Sequence, residues 1–415
     1  MPAALNLQRN SEVYLSTVDI DGGATAANMT PSNTWRVEVL AGYAVSQSSA
    51  TQDITPNESG LTPDRSVQRF NTAINPTEWS FQTYLRPTGY NRTNAVATAG
   101  NSMPLADWFL WQALMSNTAF AAGVGGSSVV QSTWEDNGVF RTAARNAATN
   151  VAAHVSNFAT AAQYQLYIKM DNVVYQVKNA TVNEASIDAG IDSIAMTSWS
   201  GFGTQIKELT GTPRDNLIAV IGGTLNSGSV VTANAYNVAN VAAAAYHTWA
   251  NYGGTTSQYI KNRLSSIDIN HALPGSAANN YTFPVTGLGF TYNNALTYLT
   301  PEEMSVLNTP IGQFSGARTI TGNFTAYLRA GNNDSAQFLR NIAADSRVSI
   351  AQASNANLKI GGTTSPYVAL FVPAVQYNFP THSVEDIVAI SVEFLAQETT
   401  ATKGTGSELT MIVSN

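Results

Sequence analysis

Residues 283–329 read FPVTGLGFTYNNALTYLTPEEMSVLNTPIGQFSGARTITGNFTAYLR, and residues 39–86 open with VLAGYAVSQSSATQDITPNE and close with EWSFQTYLR. Set side by side without a gap, Gly42 meets Gly287, Ala50 meets Ala295, Thr55 meets Thr300, Pro56 meets Pro301 and Glu58 meets Glu303, all 245 residues apart. Further on, Phe81, Tyr84, Leu85 and Arg86 meet Phe324, Tyr327, Leu328 and Arg329 at an offset of 243. Upstream, Leu15-Ser16-Thr17-Val18-Asp19-Ile20 answers Leu264-Ser265-Ser266-Ile267-Asp268-Ile269 at an offset of 249. Three segments in one order, with so little drift, point to one ancestral domain duplicated and fused.

The chain's 415 residues suit two domains, each able to bury its own core. Hydrophobic residues make up 44%, as in globular proteins, but charged residues only 11%, under half the usual share. Charge repulsion would keep such a surface apart only weakly. An unusual soluble enzyme fits this, and so does a protein whose surface is mostly covered by copies of itself. The net charge of −7 and the lack of Lys/Arg clusters argue against tight nucleic-acid binding. The absence of cysteine removes disulfides, thiol catalysis and thiolate metal sites. The opening MPAALNLQRN has no signal-peptide pattern, and no run approaches the ~20 apolar residues of a membrane helix.

Alternation predicts strands at 11–20, 34–45 and 78–86; in the last, Trp79, Phe81 and Thr83 share one face and Ser80, Gln82 and Tyr84 the other. Residues 46–74, and their counterparts 293–317, read as long loops or extended arms, a length that usually has a purpose. Ser102-Met103-Pro104 reads as the start of a helix through LADWFLWQALMSN, and 334–342 as its shorter counterpart. Each half then ends in a hairpin-like unit. The first has strands at 165–170 and 173–177, a bend at 178–190 and a strand at 191–199. The second has strands at 368–372 and 375–379, a bend at 380–386 and a strand at 387–395. The division is therefore 1–209, with an insertion at about 117–162; 210–258 as linker or insertion; 259–398; and a tail or last edge strand at 399–415.

No constellation in the sequence asks for catalysis. The four histidines stand apart from carboxylates at ligand spacing, and no acidic Ca2+ loop occurs. Asp188 and Asp192 read as a solvated pair. The clusters at Gly123 and Gly222 lack the residues that complete a phosphate loop, and no Ser sits in a nucleophile elbow. The expectation is a non-enzymatic protein with no cofactor, no metal and no catalytic residue.

The segment Asn179-Ala180-Thr181-Val182-Asn183-Glu184-Ala185-Ser186-Ile187-Asp188, running on through Ile191-Asp192-Ser193-Ile194 to Trp199-Ser200-Gly201-Phe202-Gly203, resembles a signature of tail tube proteins of long-tailed bacteriophages. So do Pro284-Val285-Thr286-Gly287, Tyr298-Leu299-Thr300-Pro301-Glu302, Asn308-Thr309-Pro310-Ile311-Gly312 and Gly316-Ala317-Arg318 with Ala326-Tyr327-Leu328. The resemblance covers about 10–209 and 263–398. It implies a mainly β fold of two tandem domains, each two packed antiparallel sheets, sandwich- or barrel-like, with a flanking helix and long loops.

The resemblance further implies domains joined into rings and rings stacked into a virion tube, assembled in the host cytoplasm, through which DNA passes. Family rings present six domains, so two per chain imply a homotrimer with pseudo-sixfold symmetry, with six chains per ring as the alternative. Its partners would be itself, the tape measure protein and DNA without sequence-specific contact; the reading admits a tail sheath and no membrane. A mildly acidic bore would repel DNA within a Debye length of ~8 Å. The candidate lining acids are Glu184, Asp188, Asp192, Glu385 and Asp386, which as turn residues could equally face a neighbouring subunit. Thr55, Pro56 and Glu58, with Thr300, Pro301 and Glu302, are the candidate contacts between rings. A sheath or baseplate protein and a carbohydrate-binding β-sandwich module are the rival readings.

Overall fold

The structure, a computed structural model, describes residues 11–21, 34–54, 66–91, 102–105, 107–115, 139–141, 161–170, 173–222, 259–272, 279–304, 306–345, 353–362, 366–379, 381–383, 388–397 and 408–414. Its organising element is the 18-residue strand Val173–Gly190. The first part of this strand pairs with Tyr164–Met170 on one side and Gln205–Leu209 on the other. Its second part pairs with Met196–Gly203 and Gly287–Asn293. The change of partners falls beside Asn179, whose φ of 49° is a left-handed value that Asn tolerates better than most residues. One strand thus belongs to two layers.

The layer built on its second part runs without a break through both halves of the chain. In order across this sheet stand Ala44–Ser46, Thr77–Tyr84, Met196–Gly203, 181–190, Gly287–Asn293, Thr319–Tyr327, Ala389–Gln397 and, last, Ala374–Tyr377 with Thr381–Ser383. The halves match: strand 77–84 and its pendant 319–327 are each second in a group of four. The joint between the groups is the seven-residue antiparallel pairing from Glu184↔Asn293 to Gly190↔Gly287.

A second layer covers each group. Over the first half it comprises Thr34–Val37, Ser11–Ser16, Tyr164–Met170, 173–178 and Gln205–Leu209. Over the second half it comprises Asn279–Pro284, Ser266–Ala272, Ala353–Ile360, Tyr367–Val372, Thr410–Ser414 and Val139–Arg141. Alternation drives the packing. On Thr77–Tyr84 the residues Trp79 and Phe81 point inward and Glu78, Ser80 and Gln82 outward; on Ala389–Gln397, Ile390, Val392 and Phe394 point inward. Each large apolar side chain so buried contributes roughly 1.5–3 kcal/mol. Helix Trp108–Met115 seats Trp111 against Trp199, ring centroids 5.0 Å apart, and helix Ser335–Asp345 seats Phe338 against Tyr281 and Tyr377.

Several expectations change. Ser102–Leu105 is a strand paired with Pro87–Asn91, and the helix starts after Asp107. Proline disfavours helical geometry in the residue before it, so Met103 stays extended. The expected bend at 178–190 is strand, because it is paired along both edges and Val182, Ala185, Ile187 and Ala189 are buried. The long loops are ribbons: Ser49–Ile54 pairs with Gln68–Ile74, and Leu296–Leu299 with Gly312–Ser315. The match of Leu15 to Leu264 slips, since Leu15 lies buried in a strand while Leu264 closes a 3-10 turn, 60% exposed, before the strand Ser266–Ala272. Residues 211–222 form a helix, and Thr410–Ser414 is a strand of the second outer layer. The rest of the segment, residues 223–258, lies outside the described residues.

Candidate functional site: the polar face of the continuous sheet

The outward side of the shared sheet is predominantly polar, with Met196 and Leu395 among the exceptions. One cross-strand row runs Gln82, Ser198, Ser186, Thr291, Thr321 and Leu395; the next runs Tyr84, Met196, Asp188, Gly289, Asn323 and Glu393. Hydroxyls and amides meet along these rows: Gln82 Nε2 donates to Ser198 Oγ at 3.0 Å, and Ser186 Oγ stands 3.2 Å from Thr291 Oγ1. At the joint Asn293 Nδ2 donates to Glu184 Oε2 at 2.5 Å. Among the described residues this face carries Glu78, Glu184, Asp188 and Glu393 and no Lys or Arg. With strands ~4.8 Å apart, Asp188 and Glu393 are about 14 Å from one another. The field is weakly negative, spread thin by Ser, Thr, Asn and Gln.

Glu184 and Asp188 therefore share this face, four residues apart on one strand. Asp192 lies past the strand end, exposed in the turn closed by Ser193 N donating to Gly190 O. Glu385 and Asp386 lie outside the described residues. Glu78 and Glu393 belong to the face and are not among the acids singled out from the sequence. Their signal was available: each alternates with an inward aromatic, Trp79 and Phe394.

The two ribbons project from the sheet's margin. Thr300 and Pro301 are half-buried and Glu302 exposed; Thr55, Pro56 and Glu58 lie outside the described residues. The second ribbon and its tip expose Leu299, Met304, Val306, Leu307, Ile311 and Phe314, with Met304 96% exposed, and the first exposes Ile54, Val67 and Phe70. The ribbons touch where Ile74 N donates to Asn308 O at 2.8 Å. The first is rooted in the last strand of its outer layer, and the second beside the segment that leads into Thr410–Ser414. In the first half Gln47 Nε2 donates to Asn75 O and Thr204 O while its Oε1 accepts from Ile206 N. In the second, the corresponding Tyr292 and Arg318 lie together, and Arg318 Nη2 donates to both carboxylate oxygens of Glu408 at 2.6 and 2.7 Å. Among the described residues no helix is long and apolar enough to cross a membrane.

No family model matches the chain. Among solved structures, a sixfold-symmetrised cryo-EM structure of the anti-feeding prophage baseplate aligns over 35% of this chain and 92% of its own, with 9% identity and a TM-score of 0.26, too slight a likeness to bear on the fold. The chain is 30% identical over 399 residues, covering 95% of its own length and 73% of the relative's, to tail tube protein pb6 of Escherichia phage T5. A mainly β chain with that relationship belongs to the phage tail tube proteins, structural components of the virion tail.

Proposed function

We propose that three copies of the chain close into a ring of six four-strand groups, and that rings stack into a tube whose bore is lined by the polar, weakly acidic face. The observation that carries this is the joint at Glu184↔Asn293 to Gly190↔Gly287. It joins the last strand of one group to the first strand of the next, and leaves one open edge of each kind at the ends of the sheet. Open edges template pairing, and a ring disposes of them. Heterologous contacts that close in the plane and repeat along the axis build a tube.

The two domains of this reading are residues 1–209 and 259–398, with Thr410–Ser414 and, from the first half's insertion, Val139–Arg141 completing the second's outer layer and 210–258 between them. The role is structural and not catalytic. DNA passes without base readout, since a face without cations offers phosphates no counterion release; the tape measure protein occupies the same bore before ejection. The apolar ribbon tips, with Thr300, Pro301 and Glu302, face the adjacent ring.

Native mass spectrometry together with end-on class averages tests the stoichiometry. Three chains per annulus, with six near-equivalent lobes, is the expected result. Six chains per annulus overturns the trimer, and dispersed single chains at high concentration overturn the ring.

A further inference from the structure

Phe379 lies at an open edge of the sheet and 63% of it is exposed. Its parity matches that of Tyr377, which pairs with Phe394 and points into the core. Asn378 between them faces the other way, its N donating to Glu393 O and its Nδ2 to Glu393 Oε2. Phe379 is therefore aimed at a core that ends at this edge. Among the described residues nothing pairs beyond Ala374–Tyr377 and Thr381–Ser383, nor beyond Ala44–Ser46 at the opposite end.

The joint inside the chain shows what belongs there. Its partners are Glu184↔Asn293, Ala185↔Tyr292, Ser186↔Thr291, Ile187↔Phe290 and Asp188↔Gly289. Strand 287–293 corresponds to 42–48 at the offset of 245, and pairing agrees: Val45 lies opposite Trp79 as Phe290 lies opposite Gly322. Ser186 corresponds to Thr381, because Ser186 pairs with Ser198 and Thr381 with Ser391, which hold equivalent places. Glu184 corresponds to Asn378 by the same argument through Ser200 and Glu393.

We infer that the edge around Phe379 pairs antiparallel with strand 44–48 of a second copy of this chain, with Thr381 opposite Ser46, Ser383 opposite Ala44, Asn378 opposite Ser48, and Phe379 buried against Gln47. This register rests on the ring reading above and specifies its joint. The sizes complement. Within the chain a small Ala185 faces a large Tyr292; between chains a large Phe379 faces the smaller Gln47. The second half's edge has one residue more between Asn378 and Thr381 than the first half's has between Glu184 and Ser186, the count of a β-bulge.

The chain has no cysteine, so engineered pairs report without background. Directly opposed Cβ atoms lie ~4.5–5.5 Å apart across an antiparallel pair, within reach of a disulfide after small adjustment. Mild oxidation of Ser46→Cys with Thr381→Cys should yield a reducible ladder ending at three linked chains, whereas Ala44→Cys with Thr381→Cys should stay unlinked. Linking of the second pair instead overturns the register. Failure of both pairs, with annuli of unlinked protein still formed, overturns this joint and leaves the ring standing; loss of annuli in the cysteine-free parent removes the ring itself. Separately, Phe379→Asp should leave the melting curve of the lone chain unchanged and abolish annuli. Annuli that persist in that variant overturn the anchor.

Discussion

Trp79 lies opposite Gly201 on paired strands, and its indole fills the space a side chain at 201 would need. A Cβ there would stand 2.3 Å from the ring and 2.0 Å from the carbonyl oxygen of Thr181. The second half repeats the arrangement with the roles exchanged. Gly322, the counterpart of Trp79, lies opposite Phe394, the counterpart of Gly201, and there the phenyl ring covers the glycine. Volume is conserved across the strand pair while its owner changes. Drift of a duplicated core under a packing constraint leaves this trace, because interiors tolerate rearranged volume better than added volume.

Gly201→Ala should therefore destabilise the chain by about 3 kcal/mol, since a backbone carbonyl and not just a flexible side chain is in the way. Adding Trp79→Gly to Gly201→Phe, which imports the second half's solution, should relieve the part of the Gly201→Phe loss that comes from the indole and leave the part that comes from the Thr181 carbonyl. Denaturant unfolding of the single and double variants measures the coupling; strict additivity would refute compensation.

Much of this was legible in the residues. Strand 77–84 and its faces followed from alternation alone, and the YLR strings, with Thr-Pro-x-Glu at 55–58 and 300–303, aligned the halves. The strand Val173–Gly190 was not legible as one element. Asn179, Asn183, Asp188 and Gly190 carry turn propensity, and pairing on both edges overrides it. The polar face was half visible: alternation with Trp79 and Phe394 suffices to place Glu78 and Glu393. Acids assigned to bends could not be placed the same way, because a bend has no period. The ribbons' exposed apolar residues were hidden inside sequence that reads as polar loop.

Asp107 gives a pH signature. It is buried, accepts a hydrogen bond from Thr83 Oγ1 at 2.8 Å, and Thr83 in turn accepts from Trp199 Nε1 at 2.9 Å. Burial pushes its carboxyl up to about 6, against the opposing pull of the Thr83 bond, its own backbone N–H and the Arg86 charge. The folded chain holds this proton more tightly than the unfolded chain does. Stability from this group is therefore full below pH ~4 and lost as pH rises to ~6, up to about 3 kcal/mol. Asp107→Asn removes the charge cost but adds an amide N–H that finds no acceptor at either pH, so it should raise stability at pH 8 by about 1 kcal/mol and lower it at pH 4. Equal effects at both pH values would refute the assignment.

The Arg318–Glu408 pair ties the second ribbon's root to the segment entering the outer strand Thr410–Ser414, with both side chains mostly buried. Removing one partner of a buried pair leaves a charge unpaired, which costs about 3–5 kcal/mol, while replacing both by apolar residues is often near neutral. Glu408→Ala should therefore cost several times more than Arg318→Met combined with Glu408→Leu. Hydrogen exchange adds a local readout: Thr410–Ser414 should lose protection in Glu408→Ala first.

Among the described residues the outward face carries no Lys or Arg, and this bears on transport. Gln82→Lys, Ser198→Lys and Thr321→Lys lie on one cross-strand row with side chains directed outward, so folding should be preserved. A cationic belt would hold phosphates through counterion release, an effect that weakens as salt rises. Virions carrying the three changes should form normal tails and release DNA more slowly at low salt, with the difference shrinking as salt is added. Release at the parental rate at every salt concentration would refute this face as the bore.

The ribbon tips offer the separable counterpart, stacking without ring closure. Met304, Ile311 and Phe314 are exposed on a ribbon whose root is fixed by Arg318, so changing them leaves the sheet and its open edges untouched. Apolar side chains held clear of the core are stabilised only by a partner that covers them, and singly exposed ones would need no explanation; here several lie on one short ribbon. Met304→Asp with Ile311→Asp should leave annuli intact and the melting curve within about 0.5 kcal/mol of the parent, as expected of surface changes. Tubes should shorten to single or few annuli, because facing carboxylates would have to be desolvated at each ring-to-ring contact. Length distributions from negative-stain images measure this. Full-length tubes would place the ring-to-ring contact elsewhere, and loss of annuli would instead assign the second ribbon to closure within the ring.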